Sequence, residues 1–207
     1  MDMDFAIISA GLKNGWEAFK NNAVAYIVGL LILIVALFLC VLVIPIVLIA
    51  PLMYGLYYMA VKGSRGEKVE IGDIFIGLKS VNAFIRCWMY WIVYFIVVIL
   101  LSIITGILTN ITPVLSLIGT LLTLIWALIA FFSIYIYVMS PDKNAIAAYK
   151  EGFNVLKDNL LMTLVTYIIY AVLCFIGFLL LGIGIFITFP IALVFTATVL
   201  KVLKPEL

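Results

Sequence analysis

CWMYWIVYFIVVILLSIITGILTNITPVLSLIGTLLTLIWALIAFFSIYIYVMS, running from Cys87 to Ser140, contains no Asp, Glu, Lys or Arg. At about 1.5 Å per residue as helix the run is roughly 80 Å long, more than twice a hydrocarbon core of about 30 Å, so it crosses a bilayer twice. The reversal falls at Asn110-Ile-Thr-Pro113, where a polar amide and a helix-breaking proline sit together. This one stretch sets the fold class: an all-α integral membrane protein.

The rest of the composition agrees. Hydrophobic residues make up 68% of the chain and charged ones 11%, against about 25% charged in an ordinary globular domain. With 12 basic and 10 acidic residues, bulk charge implies neither a nucleic-acid partner nor an acidic substrate. The acidic start, Met1-Asp-Met-Asp-Phe5, lacks the positive region and apolar core of a cleaved signal peptide, so the N-terminus is expected to be mature. Cys40, Cys87 and Cys174 are widely spaced and read as small buried hydrophobes. Histidine is absent, which removes the commonest metal ligand and general base. No catalytic residue, metal site or cofactor is expected.

Taken in order, Phe5, Ile8, Leu12, Trp16 and Phe19 recur at helical steps opposite Ser9, Lys13, Glu17 and Lys20, which predicts an interfacial amphipathic helix over 4–20. Spans follow at 23–43 and 45–61, reversing at Val43 to Pro45, with a kink at Pro51 and close approach at Gly55. Tyr54, Tyr57 and Tyr58 read as an aromatic belt. The polar connection Lys62 to Glu70 lacks phosphate-loop spacing. Its Lys62, Arg65 and Lys68, with Lys79 and Arg86 further on, are the candidates for contact with lipid headgroups.

A second surface segment is expected over 71–84, capped by Asp73, with spans at 87–109 and 114–139. Trp88, Tyr90, Trp91 and Tyr94 read as interfacial anchors. Ser102, Thr105 and Thr109 share one helix face, and Ser116 and Thr120 share another. Such faces either pack closely or wall a small polar cavity. The third surface helix is expected over 141–158, with Ser140 as cap, Pro141 in its first turn, and Ile146, Tyr149, Phe153 and Leu156 on its apolar face. The last spans, 160–181 and 184–203, carry the stripes Thr163, Thr166, Tyr167, Tyr170, Cys174, Gly177 and Thr188, Pro190, Ala192, Thr196. The hydroxylated members of the fifth span join the candidate cavity lining.

This gives six transmembrane helices as three hairpins, each preceded by an interfacial amphipathic helix. All 12 basic residues fall on one side, which the positive-inside rule makes cytoplasmic. The expectation is a multi-pass protein of the plasma membrane with both termini cytoplasmic. Gly15-Trp-x-x-Phe-Lys20-x-Asn22 matches Gly152-Phe-x-x-Leu-Lys157-x-Asn159, and Gly77-Leu-Lys79 with Asn82 is a weaker copy. All three units enter from one side, so the internal repeats are parallel.

The surface-helix pattern, together with Pro51-Leu-Met-Tyr-Gly55, Arg65-Gly-Glu67 and Asp73-Ile-Phe-x-Gly77, resembles a group of small archaeal and bacterial six-span membrane proteins of unknown function. It is also similar to the membrane portion of some glycerophosphodiester phosphodiesterases. The resemblance covers almost the whole chain and implies a fold without a reaction, since no phosphodiesterase barrel is present.

No ionisable Asp, Glu, Lys or Arg lies near the midplane of any span, which lowers ion-coupled transport and intramembrane acid–base catalysis alike. The chain is therefore read as a non-enzymatic module that binds or organises lipids or protein partners through its cytoplasmic rim. Membrane lipids are its expected partners, with a second copy or another membrane protein at the uncharged outer turns. The alternative is a passive facilitator or lipid-moving protein with a path along the Ser/Thr/Tyr faces of spans three to six.

Overall fold

The computed structural model describes residues 2–39, 46–180 and 182–206. Among them the chain forms helices α1 (Asp2–Leu39), α2 (Ile46–Ser64), α3 (Val81–Ile111), α4 (Ser116–Met139), α5 (Ala145–Asp158), α6 (Leu160–Leu179) and α7 (Ile185–Leu203), with 3-10 turns at Ile71–Leu78 and Pro113–Leu115 and no strand. Five of the helices, α1, α3, α4, α6 and α7, are long and apolar enough to cross a membrane. This is the all-α build of a membrane protein. Helix α2, 19 residues long and adjoining the residues outside the description, is not among the five. The expected reversal at Val43 to Pro45, and Cys40 and Leu181, lie outside the described residues.

Asn22 divides α1. Its backbone is non-helical (φ −132°, ψ 25°), which separates the charged half ending at Lys20 from the apolar half beginning at Ala23. The Asn22 amide donates to the Ala18 carbonyl at 3.1 Å, and its Oδ1 accepts the Val69 N–H at 2.8 Å. One side chain thus serves a carbonyl beside the break and ties down the loop after α2.

The two later surface segments differ from expectation in their limits. Over 71–84 only Ile71–Leu78 forms the surface turn, because Ser80 Oγ accepts the Ala83 N–H at 3.1 Å and starts α3 at Val81. Asp73 stands at the third position of that turn, with Glu70 at the cap position, and its carboxylate completes the cap by accepting the Glu70 N–H at 2.8 Å. Ser140 ends α4, donating its N–H to Ile136, and Asn144 caps α5 by accepting the Ala147 N–H at 2.8 Å. Pro141 to Lys143 are spent on reversing the chain, so the helix expected from 141 begins at Ala145.

The core lies along α2, α4 and α7. Ala50 to Val61, Leu128 to Val138 and Pro190 to Leu200 hold most of the buried residues, including Met59, Phe132, Tyr135 and Phe195. Each surface segment rests on one of these three helices, and a glycine permits each approach. Gly15 of α1 faces α7, where a Cβ would stand 2.8 Å from the Ile191 carbonyl oxygen. Gly152 of α5 faces α4, where a Cβ would stand 2.7 Å from the Ile129 carbonyl oxygen and overlap the Ser133 hydroxyl. On α2 the glycine is Gly55, where a Cβ would overlap the Ile74 carbonyl of the 3-10 turn.

The far halves of α3 and α4 have a different character. From Ile99 to Ile125 their large apolar side chains are mostly exposed, and the two helices touch where Gly119 receives Thr105. Gly177 receives Thr188 in the same way between α6 and α7, so the two expected polar stripes there do meet by close packing.

Candidate functional site

The charged residues gather where the ends of α2, α3, α4 and α7 meet the surface segments. Asn14 of α1 donates to the Ser64 carbonyl at 3.2 Å and to Thr198 Oγ1 at 2.9 Å, joining three elements that the sequence separates widely. Its signal was present only as a lone amide on the charged face of an amphipathic helix.

Two of the five headgroup candidates are consumed inside the protein. Lys62 Nζ pairs with Asp73 Oδ2 at 2.8 Å, both side chains largely covered. Partial burial pulls the Lys62 ammonium down, but the bond to Asp73 and its charge more than reverse this, leaving it above the ordinary lysine value. The second is Arg86. Its guanidinium donates to the carbonyls of Tyr137 (2.6 Å), Ser140 (2.8 Å), Lys143 (3.0 Å) and Pro141, and it lies 4.1 Å from the centre of the Tyr137 ring. These carbonyls belong to the last turn of α4 and the reversal after it, where the helix dipole favours a cation. With both terminal nitrogens so engaged, Arg86 closes a helix and leaves little to offer a phosphate.

Arg65, Lys68 and Lys79 are exposed, and Lys68 has only a loose partner in Glu70 at 3.7 Å. They are joined by Lys13, Lys20, Lys150, Lys157 and Lys201, also exposed. On α1 and α5 these lysines border exposed apolar residues. Trp16 is 48% exposed beside Lys13 and Lys20, and Phe153 is 49% exposed beside Lys150 and Lys157. Lys20 Nζ sits 5.8 Å from the Trp16 ring centre. An apolar ring flanked by ammonium groups suits the boundary between acyl chains and headgroups.

The candidate cavity lining is mostly dispersed. Ser102, Thr109 and Thr120 are exposed and donate to the carbonyls four residues back in their own helices, as does Thr105 beside Gly119. Ser116 is half-buried. Thr163 and Thr166 are fully buried, the latter bonded to Met162, and Tyr170 packs edge-on against Phe131. Tyr167 alone of the nine lies on the wall of a cavity among those described, one of about 210 Å³ shared with Tyr57, Tyr90, Trp91, Tyr94 and Phe131.

That aromatic cluster corrects the reading of these rings as interfacial anchors. Tyr90 is 2% exposed, stacks on Tyr149 at 4.8 Å and donates to the Ala130 carbonyl at 3.1 Å. Tyr57 meets Tyr135 edge-on at 5.1 Å, and Trp88 Nε1 donates to the Val47 carbonyl. Hydropathy cannot separate an aromatic at the interface from one turned inward. The spacing of Tyr90 and Tyr94, one helical turn apart, was the signal that they share a face.

Comparisons with protein-family models, curated proteins and solved structures return no match.

Proposed function

We propose that this chain is a non-catalytic, six-span membrane protein of the plasma membrane that binds and organises anionic lipids through a cytoplasmic basic rim, with both termini on that side. The observation that carries the reading is the paired construction of α1 and α5. In each, a glycine turns the inner face against a core helix, the next residue (Trp16 or Phe153) is half-exposed, and lysines border it. Asn22 and Asn159, at matching offsets, both leave the helical region (φ −132° and −136°). Three parallel repeats account for this match, and for each surface segment resting on the return helix of the preceding hairpin, the first resting on the last.

The six-span reading counts α2 as a span whose polar second half is tolerated because protein surrounds it. The facilitator reading has less support, since the hydroxyls of Ser102, Thr105, Thr109, Thr120 and Thr166 are turned onto their own helices.

The test is native mass spectrometry of the protein extracted from bilayers of phosphatidylglycerol and phosphatidylcholine. The expected result is retained phosphatidylglycerol that is lost when Lys13, Lys20, Lys150 and Lys157 are replaced by Gln, each ammonium being worth up to about 1 kcal/mol near an anionic surface. Equal retention by the fourfold variant, or no preference between the lipids, would remove the proposal.

A further inference from the structure

The geometry points to a quaternary ammonium site in the aromatic cavity between α2, α3, α4 and α6. Its wall is Tyr57, Tyr90, Trp91, Tyr94, Phe131 and Tyr167, completed by small and aliphatic residues of α4. The volume, about 210 Å³, suits a small organic cation. No Asp, Glu, Lys or Arg lines it. This site is independent of the basic rim and of the lipid charge that the rim selects.

The choice of ligand follows from what the wall can offer. Five of its six rings are Tyr or Trp, whose faces carry the diffuse negative potential that attracts a cation. A primary ammonium brings three N–H donors, each needing an acceptor, and beyond the hydroxyl oxygens of Tyr57, Tyr90, Tyr94 and Tyr167 the wall offers only main-chain carbonyls already engaged in their helices. A metal ion needs a cage of oxygen ligands for which the wall has no carboxylate. A trimethylammonium group needs neither, because its outer surface is methyl and its charge is spread. An acyl chain would be served equally by Leu and Ile and gives no reason for tyrosine hydroxyls at this depth.

The position is also suitable. Tyr90 and Tyr94 follow Arg86, the last charge on α3, by one and two helical turns, roughly 6 and 12 Å along the axis. A ligand need pass only just inside the charged end. Free choline and the headgroup of a choline lipid present the same chemistry there.

The experiment is isothermal titration of the full-length protein in detergent with choline and with 3,3-dimethylbutan-1-ol, its uncharged isostere. Choline is expected to bind at least about tenfold more tightly than the alcohol. Tyr57→Leu and Tyr167→Leu are expected to weaken choline about tenfold each, while Tyr57→Phe and Tyr167→Phe, which keep the ring, stay within about threefold. If the Leu variants do not fold, the isostere comparison on the unaltered protein decides. Silence toward choline, with native mass spectrometry showing phosphatidylcholine held by the unaltered protein and lost on Tyr57→Leu and on Tyr167→Leu, assigns the site to the lipid headgroup. Equal binding of choline and the alcohol, or retention of neither choline nor phosphatidylcholine, overturns the proposal.

Discussion

The two ends of this bundle differ in whether their hydroxyl groups join one element to another. At the charged end tyrosine hydroxyls reach across to neighbouring main chain, Tyr26 to the Met59 carbonyl, Tyr90 to Ala130, Tyr137 to Arg86 and Tyr149 to Tyr90, while Ser64, Ser133, Thr196 and Thr198 there bond within their own helices. At the opposite end the hydroxyls sit on Ser and Thr, and Ser102, Thr109 and Thr120 each bond the carbonyl four residues back in the same helix. In apolar surroundings both arrangements satisfy the hydroxyl, but only the first joins two elements. The length of the side chain decides which occurs. Accordingly the charged end holds the buried core, and the far halves of α3 and α4 show apolar side chains outward.

The sharpest way to break this contrast is through glycines, since a Cβ reports how close the neighbouring backbone stands. At Gly55 it would overlap the Ile74 carbonyl, which is main chain and cannot swing aside. Gly55→Leu is expected to cost about 3 kcal/mol or more, or to prevent folding. Gly106, near the far end of α3, has no heavy atom within 4 Å of the added carbon, so Gly106→Ala is expected to be neutral or stabilising by up to about 1 kcal/mol. Unfolding midpoints in detergent compare the two, and similar losses would mean that the ends are equally packed.

Arg86 is the next largest effect. Arg86→Met removes a cation and takes their side-chain donor from the carbonyls of Tyr137 and Ser140 at the end of α4 and of Lys143 in the turn beyond, which is expected to cost about 2–3 kcal/mol. Arg86→Lys should recover little, because a point ammonium cannot fork between four carbonyls. Full recovery by Lys would show that charge at the helix end, rather than geometry, carries the contribution.

How much of this was legible in the sequence depended on whether the signal was local. The reversal at Asn110 to Pro113 and the break before Ala23 are marked by residues at the site itself, and both stand. The partners of Arg86 lie more than fifty residues away, and Asp73 must first be folded back onto Lys62, so both cations read from sequence as free rim charges. The faces of the surface helices were misread for a related reason. On α5 the expected apolar face, Ile146, Tyr149, Phe153 and Leu156, splits, with Ile146 70% exposed, Phe153 half-exposed and Tyr149 and Leu156 buried. The rest of the buried face is Ala145, Ala148, Gly152 and Val155. Small residues contribute little to a hydrophobic pattern, yet they set how closely a helix can approach its neighbour. The aromatic cavity was hidden likewise, because its wall draws on four helices and inward and interfacial rings look alike in one dimension.

A smaller effect tests whether α1 and α5 are docked alike. Gly152→Ala meets the Ser133 hydroxyl and the Ile129 carbonyl, and Gly15→Ala meets the Ile191 carbonyl, so each is expected to cost about 2 kcal/mol. Adding Ser133→Ala should relieve part of the Gly152 loss and none of the Gly15 loss. Relief of both would mean that the two contacts are coupled through the core and are not separate copies of one docking device.

The smallest effect bears most directly on the contrast between the two ends. Tyr90→Phe leaves the Ala130 carbonyl with its helical partner but removes a bond between α3 and α4, for an expected loss of about 1 kcal/mol. Ser102→Ala and Thr109→Val remove bonds that each helix makes with itself and are expected to change stability by less than about 0.5 kcal/mol. Measured on the same detergent-solubilised protein, a clear separation between tyrosine and Ser/Thr variants would identify reach as the property that makes a hydroxyl hold helices together. Equal losses would place the cohesion of the charged end in ring packing instead, where the stacks of Tyr90 on Tyr149 and Trp126 on Tyr149, both at 4.8 Å, become the groups to alter next.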